Sequence, residues 1–365
     1  MEVDVGGSEE AAATFARDQW MMLRTAKESA ALARIWRRPQ QGLLLGRFHR
    51  FSSEGGAAAF AGSDVSQEAT MNPGISRRLS GGRIVPVGPG VLCVTMTLPR
   101  VDWMQPPVSG GAGSKGDATS RALRPEQVLN RALRPLLAVL RDDGVDAFYP
   151  GRDLVTVGGR ALAHASFTVM RDGVAVVEMQ VAEESSFSGL AGLLDRFDPE
   201  GVAGVEREAL ASATSLVETR TASRTDSDWA ARFAAFASST FGCEGAVSDG
   251  GRPAPGLSTL AHAGAARDFL ATPGPVAEGS MSAAAVSMLG VVECAARLRG
   301  DRLAGLTITG DVIAPFHTLD DIAAECEGEP FRAANVRKAL ARALARPRSF
   351  LLGLRDLDEL ILRMA

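Results

Sequence analysis

The stretch Arg77-Arg78-Leu79-Ser80-Gly81-Gly82-Arg83 constrains this chain most tightly. Two adjacent glycines open backbone conformations that other residues avoid, so the chain turns sharply here. Guanidiniums on both sides, with a run of backbone N–H groups between them, give the turn the composition of a cradle for a phosphate or carboxylate. The same residues also suit a tight β-turn flanked by surface arginines, and the turn alone does not choose between the two. Downstream, residues 90–98 carry continuous apolar and β-branched side chains, which predict a buried strand.

Around this turn the chain alternates helical and extended patterns. Residues 10–32 read as a helix, with Phe15, Met22, Ala26 and Ala30 at helical spacing and Arg17, Asp18, Arg24 and Lys27 left for water. Residues 34–39 and 42–48 read as strands broken by a turn. A Gly/Ala/Ser-rich segment over 52–70 and a Gly/Ser/Pro segment over 107–120 are expected to be loops. Pro125 and Glu126 open a helix that runs to about Leu140, with Pro135 kinking it and Gly144 closing it. From Asp153 to Ala182 β-rich runs alternate with turns at Gly158-Gly159 and Asp172-Gly173, the latter fitting a hairpin. Helices are expected at 187–196 and 226–239, a linker at 244–282, a strand pair at 290–298 and 303–311, and helices at 318–326, 331–345 and 356–364. No internal repeat is visible.

The chain has 365 residues, 46% hydrophobic and 22% charged, enough for one large and one small domain. A net charge of −4 gives no electrostatic reason to expect nucleic acid or a membrane as partner. No signal peptide and no apolar run of ~18 residues is found, so a cytoplasmic protein is expected. Cys93, Cys243, Cys294 and Cys326 are scattered without a C-x-x-C pair, which predicts buried thiols rather than metal ligands or disulfides. Lys115 lies in a glycine-rich run that lacks the spacing of a phosphate loop, and it reads as linker.

Taken with its surroundings, the turn is similar to the R-R-x-S-G-G-G-x-V-x-H motif of the lipoate-protein ligase A family and its octanoyltransferase relatives. Thr14-Phe15-Ala16-Arg17-Asp18 resembles that family's first helix, and residues 34–39 and 46–50 resemble its next strands. His49 stands in the family's G-R-x-Q turn. Residues 151–161 resemble the stretch that ends in the family's lysine, and residues 124–154 match the long helix and return strand in order. The final strands and helices, with Thr309-Gly310-Asp311, look like its small accessory domain.

The resemblance implies an α+β fold, with a class II synthetase-like mixed sheet flanked by helices and a small C-terminal α/β accessory domain. The expected organisation is a ligase-like domain over 1–243, a linker over 244–282 and the accessory domain over 283–365. It further implies ATP, lipoate or octanoate and Mg2+ as cofactors. The implied partner is the lipoyl domain of a 2-oxoacid dehydrogenase or a glycine-cleavage H-type protein. Arg77, Arg78, Ser80, Gly81, Gly82, Arg83 and His164 would contact an acyl-adenylate, and Asp153 would lie beside the lysine.

That lysine is missing. Lysine occurs only at Lys27, Lys115 and Lys338, and the family motif falls on this chain in two registers that place Arg160 or Ala161 at its position. Arg160 is the candidate surrogate cation, although a guanidinium is bulkier and directed differently from an ammonium. His164 falls at or beside a small glycine of the family, residues around Val176, Val177, Glu178 and Met179 replace an H-H-G-T segment, and Arg83 replaces the third glycine of the turn. Two functions therefore stand open: a divergent acyltransferase using Arg160 or Arg83, and a binding module that has kept the cradle but lost the chemistry. A biotin-protein ligase is a weaker third.

Overall fold

The computed structural model describes residues 1–8, 11–49, 75–99, 125–189, 211–220, 226–241, 246–249, 279–315, 317–354 and 356–364. The expected loops over 52–70 and 107–120, most of the helix over 187–196 and Cys243 lie outside these residues.

The main sheet is built from β1 (Glu2–Ser8), β2 (Leu32–Arg37), β6 (Val91–Leu98), β7 (Ala147–Phe148), β8 (Leu154–Val157), β9 (Arg160–Val169), β10 (Ala175–Ala182) and β11 (Ala246–Asp249). Its order is β11-β1-β2-β6-β10-β9-β8-β7. The pairs β11-β1 and β1-β2 are parallel and the rest antiparallel, so the sheet is mixed. A second, three-stranded sheet joins β3 (Gly42–Leu45) to β4 (Ile75–Arg77) and β5 (Val85–Val87), which flank the Ser80 turn.

Strand side chains alternate between faces, and in this sheet the two faces differ in chemistry. One carries Val94, Met96, Val177, Met179 and Ala165. It packs under the helices α3 (Arg134–Asp142) and α5 (Asp226–Phe241) through Leu136, Leu140, Phe233 and Ala237. The other face is polar yet buried. Register puts Arg34, Thr95, Glu178 and Ser166 in one row across four strands, and Trp36, Cys93, Gln180 and His164 in the next. Helix α1 (Ala11–Glu28) covers part of this face, held by a Thr25 to Thr97 hydroxyl contact of 2.6 Å and an Arg34 to Asp18 ion pair of 3.3 Å.

The long helix expected after Pro125 is two helices, α2 (Pro125–Ala132) and α3. Pro135 lies in the first turn of α3, where its missing N–H costs nothing, and bonds from Leu133 to Leu129 and from Leu137 to Leu133 carry the chain across the break. A short helix, α4 (Leu216–Thr219), starts on Ser215, whose hydroxyl accepts from the Glu218 N–H.

The C-terminal unit has β12 (Met281–Val286), β13 (Val291–Arg299) and β14 (Arg302–Gly310) as an antiparallel sheet. It is backed by α6 (Thr318–Cys326), α7 (Ala333–Leu344) and α8 (Leu357–Leu362) around a core that includes Val292, Cys294, Ile322, Leu340 and Ile361. Leu289, Ile313 and Phe350 leave that core and join the main one, with Phe350 stacked on Phe167 at 5.2 Å between centroids. Within the stretch expected to be a linker, residues 246–249 form β11 on the edge of the main sheet and β12 begins at Met281; 250–278 lie outside the described residues. Cys93, Cys294 and Cys326 are buried free thiols, as their apolar surroundings predicted.

Candidate functional site

The Ser80 turn lies between β4 and β5, over the polar face of the main sheet. Its glycines answer to packing. A Cβ on Gly81 would stand 1.9 Å from the Val312 carbonyl oxygen of the C-terminal unit, and Gly82 has φ +86° and donates its N–H to that same oxygen at 2.7 Å.

The anion at the turn is the protein's own. Glu178, on β10, reaches up from the sheet and accepts from the backbone N–H of Ser80 at 2.6 Å and of Leu79 at 3.2 Å. Two successive amides converging on a carboxylate form the nest that binds phosphates elsewhere, and here a side chain fills it. The Ser80 hydroxyl meets the Ser166 hydroxyl at 2.5 Å.

The arginines of the motif turn inward. Arg78 is buried and gives Nε and Nη2 to the Gly81 carbonyl, Nη2 to Arg83 and Nη1 to Leu44. Burial pulls its pKa down to about 10. Arg77 Nη1 donates to the carbonyls of Gly46, Arg47 and His49 at 2.8, 2.9 and 2.8 Å. Arg83 forms a buried two-point ion pair with Asp153, Nε to Oδ2 at 2.5 Å and Nη2 to Oδ1 at 3.0 Å. Beside it His164 is buried, with Nδ1 2.8 Å from Gln180 Oε1. Its Nε2 lies 3.6 Å from Asp153 Oδ2. Burial, then the positive charge of Arg78, holds the His164 pKa well below the usual imidazole range.

Arg160 stands apart from this cluster. It opens β9 after the Gly158-Gly159 turn, is half exposed, and lies 3.5 Å from the Glu218 carboxylate. Ala161, the other register, is buried and bonds its backbone to Ser212 and Thr214. His49 reaches the C-terminal unit, 2.6 Å from Asp311, which also accepts from the Val291 N–H.

The structure thus gathers Arg78, Ser80, Arg83, Asp153 and His164 into one buried polar cluster with Glu178, Gln180 and Ser166, sets the Arg34–Asp18 pair on the same sheet face, and leaves Arg77 half-buried on the carbonyls of residues 46, 47 and 49. The signal for the added residues was present in the alternation of Glu178 and Gln180 with Val177, Met179 and Val181, which marks a polar strand face. Beneath α1 a cavity offers about 20 Å3 to the centre of a water molecule and is bounded by α1, β2, β6, β10 and the start of the turn. No group of three metal-ligating side chains occurs among the described residues, and no described helix is long and apolar enough to cross a membrane.

The architecture is that of the lipoate-protein ligases. The chain superimposes on P. falciparum LipL1, solved in complex with lipoate, with a TM-score of 0.63 over 93% of this chain and 94% of that one, at 12% identity. A bi-partite lipoate protein ligase of Thermoplasma acidophilum aligns over 71% of this chain and 89% of its own at 13% identity, with a TM-score of 0.48. Biotin protein ligase of Leishmania major, in complex with biotin, aligns over 84% and 96% at 12% identity, with a TM-score of 0.34. No family model matches the chain, and no curated protein matches it in sequence.

Proposed function

We propose that this protein is a binding module built on the lipoate-ligase fold, which engages a lipoyl domain but neither forms an acyl-adenylate nor transfers an acyl group. The observation that carries the reading is the Glu178 carboxylate on the Leu79 and Ser80 amides. A phosphate brought to that nest would meet a buried like charge and amides already bonded. Arg78 gives donors to the Gly81, Arg83 and Leu44 carbonyls and Arg83 pairs with Asp153 through Nε and Nη2, so with Glu178 on the turn amides the residues as arranged do not fit ATP, Mg2+ or an adenylate.

The missing lysine supports the same reading. Arg160, its candidate surrogate, faces Glu218 at the surface, a position that gives the acyltransferase alternative no support. The lipoyl domain as partner rests on the motif resemblance over residues 10–240, and the soluble domains of 2-oxoacid dehydrogenases and H-type proteins are the ones to try.

The full chain, incubated with ATP, Mg2+, lipoate or octanoate and an apo lipoyl domain, is expected to leave the acceptor's mass unchanged. The same domain is expected to bind the immobilised protein in biolayer interferometry. An acyl mass shift would overturn the proposal, and so would a lipoyl domain that does not bind.

A further inference from the structure

We propose that the seam between the β9–β10 hairpin turn and the C-terminal unit, at the N-terminal end of α6, is a binding site for a phosphate group. Two segments of the C-terminal unit meet there. Ile313 and Leu352 exchange backbone bonds of 3.1 and 2.9 Å, and Arg346 Nη1 reaches Asp321 at 2.5 Å, so the chain after Ile313 runs antiparallel to the chain before Leu352. The hairpin is bound to both segments: Arg348 Nη1 donates to the Arg171 carbonyl at 2.6 Å, and the Thr168 hydroxyl donates to the Ala314 carbonyl at 3.0 Å.

Four buried polar atoms on these segments have no hydrogen-bond partner among the described residues: His317 Nδ1, Thr318 Oγ1, Arg348 Nε and Ser349 Oγ. His317 is 8% exposed and Thr318 is fully buried. Each orphaned polar group costs free energy, and four on facing segments are satisfied together by a ligand that presents several oxygens at once. Arg348 also holds φ +62°, in the left-handed region that favours glycine, and backbone strain of this kind gathers at ligand clamps.

The charge at the seam favours an anion. Arg171 and Arg346 both lie near enough to His317 to disfavour its protonated form. Arg346 is engaged by Asp321 and Glu325, whereas neither Arg171 nor Arg348 pairs with a carboxylate among the described residues. The amides that open α6 add partial positive charge. Of the two acids in that first turn, Asp321 is held by Arg346 and Asp320 acts on Arg47. A phosphate offers four oxygens to the guanidiniums, hydroxyls and imidazole gathered here, where a carboxylate offers two. The free ion and a small phosphate monoester share that chemistry. The inference goes beyond the function proposed above and does not depend on it.

NMR of the full chain labelled with 13C-histidine tests it, with inorganic phosphate, glycerol phosphate and acetate added at fixed ionic strength. His317, one of four histidines, is assigned through His317→Gln. Burial is the largest influence on its imidazole, which also feels Asp321, Arg171, Asp320 and Arg346, and together they hold its pKa below the usual range. A bound phosphate favours the imidazolium, so the His317 signal is expected to move saturably and its pKa to rise by about one pH unit or more. Arg171→Gln alters an exposed side chain and is expected to weaken phosphate about tenfold, the scale of a lost charge-assisted hydrogen bond. Saturable binding of the free ion or of the monoester supports the site, and the tighter of the two identifies the source. A His317 signal that neither phosphate moves, an equal response to acetate, or unchanged phosphate affinity in Arg171→Gln would each overturn the proposal.

Discussion

Among single residues, Glu178 and His164 define how the polar face differs from an open ligand site. Glu178 puts a charge where a ligand's charge would go, and His164 puts a neutral ring beside two guanidiniums. Its depressed pKa makes a pH prediction. The unfolded chain takes up a proton near pH 6.5, while the folded imidazole stays neutral until well below that, so the unfolded state binds more protons in between. The contribution of His164 to stability is complete above pH 6.5 and is lost as pH falls below it toward the folded-state pKa. Urea midpoints measured between pH 7.5 and 5.5 are expected to drop with acid, and to drop less steeply in His164→Gln, which removes the titration. Equal slopes in the two proteins would show that other groups control this range.

At the level of elements, the Ser80 turn is a joint between the main domain and the C-terminal unit. Gly81 touches the Val312 carbonyl so closely that a methyl group has nowhere to go, because the obstacle is backbone and not a flexible side-chain tip. Gly81→Ala is therefore expected to cost about 1–3 kcal/mol, the range for overpacking a buried contact, read as a lowered midpoint in thermal or urea unfolding. Gly158→Ala, at a turn with open space around it, meets a positive φ that Gly81 lacks but no clash. Its loss is expected to be the smaller, about 1 kcal/mol. A Gly81 variant as stable as wild type would mean that the two units separate there without penalty.

For the molecule as a whole, the coupling of the two units is apolar as well as polar. Leu289, Ile313 and Phe350 enter the main core, and the Gly82 N–H, the Phe48 carbonyl and the Thr168 hydroxyl bond to the backbone of the C-terminal unit. A core shared between two units makes their unfolding cooperative. Calorimetry is expected to show one transition in the wild-type chain. Phe350→Ala, which opens a cavity against Phe167, is expected to lower stability by about 3–5 kcal/mol and to bring out a second transition. Two transitions already present in wild type would contradict the shared core. Proteolysis within 244–282 remains the proposed first cut, because that stretch carries many turn formers and few apolar anchors.

Local sequence determined much of this. Helical spacing placed α1 and the helices of the C-terminal unit, β-branched runs placed β6, β9 and β10, Pro135 marked the break between α2 and α3, and the glycine turn with its arginines pointed to the loop that organises the site. These signals lie within a few residues of one another, so a single strand or helix carries them complete. Three outcomes depended on tertiary structure. The seven residues of β1 and the four of β11 lack a strong pattern and become strands only by pairing with each other and with β2. Glu178 is 98 residues from Ser80, and only the register of β10 against β9 and β6 lifts it to the turn. The fate of Arg77, Arg78 and Arg83 was undecided in the sequence because a guanidinium serves a phosphate, a carbonyl or an aspartate equally well. Its partner is whichever acceptor the folded chain brings within reach, and in this fold the carbonyls and Asp153 arrive first.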